Sequence, residues 1–190
     1  MKTRITALLA CMALSAPLAA QQFDTISFGV DGGYPPFDVL APSGEITGFD
    51  IDIANALCTQ LKAKCVFVKQ PFESMIAALN AHKFDAIIAS LNITDERKKE
   101  VDFTDRYYRS AAQLVARKGS PLLPEAASLK GKTVGVQTGS THEAYARTHW
   151  AGQGVKIVGY ANQDNVYLDL LSGRIDASLQ DNIQAATSFV

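Results

Sequence analysis

Chemistry-bearing residues are scarce in this sequence, and the scarcity excludes several function classes. Among 190 residues there are three histidines and three cysteines, and no His/Cys/carboxylate cluster shows metal-ligand spacing. No serine stands in a nucleophile elbow. His82, His142 and His149 have no sequence context for a general base, so packing or surface roles are expected for them. An excess of one charge sign is missing as well. The formal net charge is −1, which argues against nucleic acid or an anionic membrane surface as partner. No apolar run is long enough to span a bilayer. The stretch from Gly135 to Thr141 has the outline of a phosphate loop, but no lysine follows Gly139, which argues against a nucleotide site. No metal and no cofactor are expected.

What is present begins at the N-terminus. Lys2 and Arg4 precede an apolar run from Ile5 to Ala16, which ends in Pro17-Leu18-Ala19-Ala20. This is the anatomy of a secretory signal peptide, with cleavage expected after Ala20. Leu8-Leu9-Ala10-Cys11 offers an alternative, lipidation at Cys11, but with an unusually short apolar region. Loss of Lys2 and Arg4 takes the formal charge from −1 to −3. Cys58 and Cys65 are then the cysteines that remain. In an oxidising compartment a disulfide is the leading reading of such a pair. It closes a short loop and stabilises by about 2–3 kcal/mol on the chain-entropy account.

Beyond residue 20, short apolar runs alternate with amphipathic stretches, the pattern of βαβ units and a largely parallel sheet. Strands are expected at Thr25–Val30, Lys64–Val68, Asp85–Ala89, Lys132–Val136, Val155–Val158 and Ile175–Leu179. A helix from Phe49 to about Leu61 is expected from the recurrence of Ile53, Leu57 and Leu61. Another is expected from Asp164 to Ser172, with Val166, Leu170 and Leu171 on one side, Asp164 as cap and Gly173 as terminator. Ser140 with Glu143 three residues on reads as a capping box opening a third helix. The order Leu, basic, apolar, Asp, Ala at Leu79 and Lys83–Ala86 recurs at Leu170 and Arg174–Ala177, 91 residues later. That interval suits one α/β unit used twice, with Tyr107–Val115 as the crossover between the halves.

Ligands of open α/β sheets sit beyond the carboxyl ends of the strands. The residues expected there are Asp31 to Phe37, Ser90-Leu91-Asn92-Ile93-Thr94, Gln137 to Thr141, and Gln180-Asp181-Asn182. Each has a plain alternative. Ser140 as a cap, Asp31 and Asp181 as turn residues, Arg97 on a solvated helix face, and Tyr34 and Phe72 as partial core all satisfy the local pattern.

Six segments together resemble a known family: Tyr34-Pro35-Pro36-Phe37, Gly48-Phe49-Asp50-Ile51-Asp52-Ile53, Phe84-Asp85-Ala86-Ile87-Ile88, Ile93-Thr94-Asp95-Glu96-Arg97, Gly139-Ser140-Thr141 and Leu179-Gln180-Asp181. The sequence is similar to periplasmic polar-amino-acid-binding proteins of ABC importers, the lysine/arginine/ornithine and histidine binders in particular. The resemblance implies a two-lobed α/β fold of the type II periplasmic binding proteins, with lobes at 21–109 and 110–190. It also implies a disulfide at the same cysteine pair. Arg97 and Thr141 would hold a ligand carboxylate, and Asp181 and the Ser90 carbonyl its α-ammonium. Asp31 would face a distal cation, with Tyr34 and Phe72 stacked along the side chain, and Leu91, Asn92 and Ser140 would complete the site. A free amino acid, an inner-membrane permease as partner, a monomeric state, a periplasmic location and hinge closure without chemistry follow from the same resemblance. Ala89, Asn92 and His142 depart from the commoner residues. Family chains continue past the position of Val190 and recross the hinge, so both lobes would be incomplete here. The alternatives are a periplasmic cyclohexadienyl or arogenate-type dehydratase on the same fold, and the sensor domain of a receptor.

Overall fold

The computed structural model describes residues 24–188; the expected signal peptide and Cys11 lie outside them. Four β-branched or aromatic positions in Thr25–Val30 (β1) make a short strand buried over its second half. It pairs in parallel with Lys64–Lys69 (β5) and Ala86–Ile87 (β6) in a sheet of order β5-β1-β6. Between β1 and β5 lie an antiparallel meander, Gly33–Tyr34 (β2), Asp38–Leu40 (β3) and Ile46–Thr47 (β4), and the helix Phe49–Leu61 (α1). Met75–Asn80 (α2) connects β5 to β6. A second sheet has the order β7-β10-β8-β9. It comprises Ala112–Ala116 (β7), Thr133–Gln137 (β8), Lys156–Tyr160 (β9) and Ala177–Asp181 (β10), antiparallel only between β7 and β10. Ala126–Leu129 (α3), Thr141–His149 (α4), Gln163–Ser172 (α5) and Asn182–Ser188 (α6) complete this half. The architecture is two lobes, each a largely parallel sheet with helices. No helix among the described residues is long and apolar enough to cross a membrane.

Each lobe has its own core. Phe28, Val30, Ile51, Ala54, Cys58 and Ile88 pack in the first, and Leu129, Val134, Val136, Trp150, Val155 and Leu179 in the second. The helix α1 spans its expected residues, but its buried face is Ile51, Ala54 and Cys58; Leu57 and Leu61 are exposed. The Cys58–Cys65 disulfide explains the rotation. It ties this face of the helix to β5, so the larger leucines turn to solvent. A capping side chain is absent from α1. The Phe49 and Asp50 amides instead donate to the Pro36 and Phe37 carbonyls, at 3.0 and 2.9 Å. Gly48 permits this approach, since with φ 128° a Cβ there would lie 2.4 Å from the Phe37 oxygen.

The repeated sequence joint is a repeated structural joint. The amide of Ser27 donates to Asp85 Oδ2 at 2.8 Å while the Asp85 amide donates to the Ser27 carbonyl at 2.9 Å. Thr133 and Asp176 make the same two bonds, at 2.8 and 2.9 Å. In both halves the Asp locks the turn before a strand onto the start of its neighbour. This use of Asp shortens or shifts two expected strands. Asp85 leaves only Ala86–Ile87 paired, and Ile175 and Asp176 belong to the turn, so β10 runs to Asp181. The other expected strands hold to within two residues. Asn162, not Asp164, caps α5, accepting from the Asn165 amide at 3.0 Å, and Gly173 ends it with φ 79°. Leu171 is exposed; the inward side is Gln163, Val166, Tyr167 and Leu170.

Asp38 opens β3 fully buried. One carboxyl oxygen accepts the Asp31 amide at 3.2 Å and the other has no partner among the described residues. Burial, aided by the Asp31 and Asp50 charges, pushes its carboxyl up to about 7. The folded state therefore holds this proton more tightly than the unfolded chain. The stabilisation is full below the unfolded value near 4 and is lost as pH rises towards 7, amounting to about 4 kcal/mol. Asp38→Asn keeps the acceptor and removes the charge. Its melting temperature should gain on the parent's by several degrees between pH 4 and pH 7; a pH-independent gap, followed by circular dichroism, would contradict this origin.

Candidate functional site

The carboxyl ends of the strands bring most of the expected residues to one cleft between the lobes. Asp31 follows β1, Ser90 to Asn92 follow β6, Ser140 and Thr141 open α4 after β8, and Asp181 ends β10. Connections supply the others: Tyr34 from β2, Phe72 from the turn after β5, and Arg97 from the turn Arg97–Lys99. Tyr34 is held by a chain of rings. It stacks on Phe37 at 5.5 Å, and Phe37 stacks on Tyr108 at 4.6 Å.

Four direct bonds cross the cleft. Gln137 Nε2 donates to Asp31 Oδ2 at 3.1 Å. The Tyr34 hydroxyl donates to Asp181 Oδ2. Asn92 Nδ2 donates to Thr141 Oγ1 at 3.0 Å. Arg97 donates from Nη1 to the Asn92 carbonyl at 2.7 Å and from Nη2 to the Gly139 carbonyl at 2.9 Å, and its guanidinium lies 5.8 Å from the Phe72 ring centre. Arg97 thus faces the cleft and is no part of a solvated helix face. Burial lowers its pKa, as expected for a cation removed from water.

Electrostatics set the two ends of the cleft apart. Asp31 is buried, which raises its carboxyl, while the Gln137 bond works against the rise. Burial, then the Asp181 charge, raises the Tyr34 hydroxyl far above its ordinary value, so it stays protonated and donates to Asp181. Asp181 is buried too, and His142 Nε2 lies 3.6 Å from its second oxygen. Burial lowers the His142 pKa against the pull of Asp181. Ser140 caps α4, accepting the Glu143 amide at 3.1 Å; Glu143 reaches back to the Gly139 amide at 2.7 Å. The capping box is present, displaced by one residue from the ideal at its return bond. The first-turn amides of Thr141 and His142 have no intrahelical carbonyl within reach, and they lie at the positive end of the helix dipole.

The space enclosed is small, about 20 Å³, lined by Tyr34, Phe72, Asn92, Gln137, Thr141 and Asp181 among others. That holds a water molecule at most, so anything larger must exchange these inter-lobe bonds for its own. Asp31 does not border this space; Gln137 stands between. Leu91 faces instead a recess of about 500 Å³ along β6 and residues 101–110. None of Arg97, Asp31 and Asp181 lines that recess, whereas Asp181 lines the smaller space and Arg97 and Asp31 are tied to its rim through Asn92 and Gln137. Residues beneath Asp181 form a polar floor, with Gln163 Nε2 donating to Ser178 Oγ at 3.0 Å.

Residues 26–186 match the family described as bacterial extracellular solute-binding proteins, family 3. This chain belongs to that family. It is 45% identical over 192 residues to the lysine/arginine/ornithine-binding periplasmic protein of Escherichia coli (strain K12), covering all of this chain and 74% of that one. It is 46% identical over 165 residues to the histidine-binding periplasmic protein of Salmonella typhimurium, covering 87% of this chain and 64% of the relative. An ancestral arginine-binding protein bound to arginine superposes with a TM-score of 0.84 at 38% identity, covering 87% of this chain and 74% of that one.

Two cleft residues of this solute-binding chain escaped the sequence reading. In the sequence Gln137 is only part of the segment that follows a strand, and His142 is a surface or packing residue that departs from the family's commoner one, with no role in the site assigned to either. Neither has a local pattern that separates it from an ordinary polar residue near a helix start. Gly139 carries a constraint on closure as well. With φ 77°, a Cβ there would sit 2.9 Å from Glu73 Cα across the cleft. An overpacked contact costs about 1–3 kcal/mol, so Gly139→Ala should weaken ligand binding by about tenfold and expand the ligand-free protein in small-angle X-ray scattering. An unchanged scattering radius would show that the Glu73 contact does not limit closure.

Proposed function

We propose that the chain is an exported solute-binding protein that captures a free amino acid with a cationic side chain by closing its two lobes, without chemistry on the ligand. The observation that carries this is the charge arrangement in one cleft: two buried acids, Asp31 and Asp181, against the single guanidinium of Arg97. An amino acid with one carboxylate and two cationic groups complements that set.

In this reading Arg97 turns from the Gly139 carbonyl to the ligand carboxylate in a charge-assisted pair, joined by the Thr141 hydroxyl and the first-turn amides of α4. Asp181, with the Ser90 carbonyl, takes the α-ammonium. Asp31 takes the distal cation, and Tyr34 and Phe72 flank the aliphatic stem. Asn92 and Ser140 complete the polar ring around it, while Leu91 serves by packing behind. Arg97, Thr141, Asp181 and Asp31 each exchange an inter-lobe bond for a ligand contact, while the Ser90 carbonyl, the α4 amides and the two rings add contacts from both lobes, so ligand binding selects the closed arrangement. The relatives bear the names of binding proteins rather than enzymes, which favours capture over a dehydratase reaction.

The finer parts of the proposal are a lobe division at 21–109 and 110–190, cleavage after Ala20, a periplasmic location, a monomer in solution and an inner-membrane ABC permease as recipient. Isothermal titration with the common amino acids tests the core of it. Arginine, lysine, ornithine or histidine should bind well below millimolar. Arg97→Ala should weaken every ligand by about a hundredfold or more, whereas Asp31→Asn should weaken cationic ligands selectively. Equal losses for neutral and cationic amino acids in the Asp31 variant would remove Asp31 from its role.

A further inference from the structure

Gln137 ends β8 in the second lobe, 5% exposed, and reaches Asp31 in the first, 106 residues away in sequence. Two observations set it apart from a packing residue. It borders the enclosed space, while Asp31 does not. Its amide is also oriented, because Nε2 is committed to Asp31 Oδ2 at 3.1 Å. An amide fixed through its NH2 group presents its carbonyl oxygen as an acceptor. The distal end of the cleft is therefore a bonded pair, a carboxylate with one oxygen free of Gln137 and a neutral amide carbonyl beside it.

The two kinds of distal cation use such a pair differently. A primary ammonium is a compact, strongly hydrated point charge with three rotatable donors, which pairs with a carboxylate without demanding acceptors at fixed positions. A guanidinium is planar, delocalised and weakly hydrated, and its five N–H groups need several acceptors arranged side by side. One carboxylate whose second oxygen is already occupied leaves guanidinium donors unpaired, and burying them so is costly. The Gln137 carbonyl supplies the missing acceptor.

We propose that Gln137 is a specificity-determining residue, and that the Asp31–Gln137 pair selects amino acids ending in a guanidinium over those ending in a primary ammonium. The inference rests on the reading of the cleft as a cationic amino-acid site. Its test is the ratio of affinities for arginine and lysine in the full-length protein, measured by isothermal titration on the parent and on Gln137→Met, which keeps the unbranched shape and loses both hydrogen-bonding groups. Gln137→Leu is the second variant should the first fold poorly by circular dichroism. The parent should prefer arginine, and the ratio should fall about tenfold in the variant, chiefly through loss of arginine affinity. An unchanged ratio overturns the assignment. So does a parallel rise of both affinities, which would make Gln137 only a competitor for Asp31. A parent that binds neither amino acid sinks the reading of the cleft and this inference together, and is distinct from a parent that binds both with a ratio insensitive to Gln137.

Discussion

The carboxylate of Asp50 is the constraint on which the arrangement of the first lobe depends. It is fully buried at the start of α1, where an isolated charge would be expensive. Three donors converge on it: the Ser90 amide at 2.7 Å, the Ser90 hydroxyl at 2.9 Å and the Tyr107 hydroxyl at 2.9 Å. Burial still raises its pKa, with those bonds pulling the other way. One side chain thereby fixes the helix, the cleft loop after β6 and the segment leading to the second lobe. Ser90 is held in a left-handed conformation, φ 52°, which a non-glycine residue adopts at a cost. The strain falls where the chain must turn from the sheet into the cleft.

From that anchor the cleft is assembled by paired needs. Three buried acids are matched to donors from elsewhere: Asp31 to Gln137, Asp181 to Tyr34, with His142 3.6 Å away, and Asp50 to Ser90 and Tyr107. The protein satisfies across its own cleft the same groups that a zwitterion would satisfy. Closure and capture therefore draw on one set of hydrogen bonds. The net gain on binding is the difference between the two sets and not their sum. Charge-assisted bonds to a ligand carboxylate are stronger than those of Arg97 to neutral carbonyls, which gives that difference its favourable sign.

Much of the fold was legible before the structure. The strands β1 and β5 and the helix α1 stood out because their apolar spacing is local, and the paired Asp85 and Asp176 joints stood out because one solution to a turn recurs. The rotation of α1 was not legible. Its leucine spacing at 53, 57 and 61 is a sound helical signal, but the disulfide from Cys58 to β5 decides which face is buried. Within the site, Asp31, Asp181 and Arg97 were legible as residues at strand ends or in a matched motif. Local pattern alone left each with a bland alternative, and only their convergence removes it.

The sequence by itself determined the composition of the two lobes, because period and turn chemistry act over a few residues. It also determined the pair of cysteines, the acids after β1 and β10, and the cap of α4. The tertiary structure alone decided that Gln137 covers Asp31, that His142 leans on Asp181 and that Arg97 spans both lobes. Those contacts join positions 39 to 106 residues apart, and a contact between distant segments leaves no periodic trace in either of them.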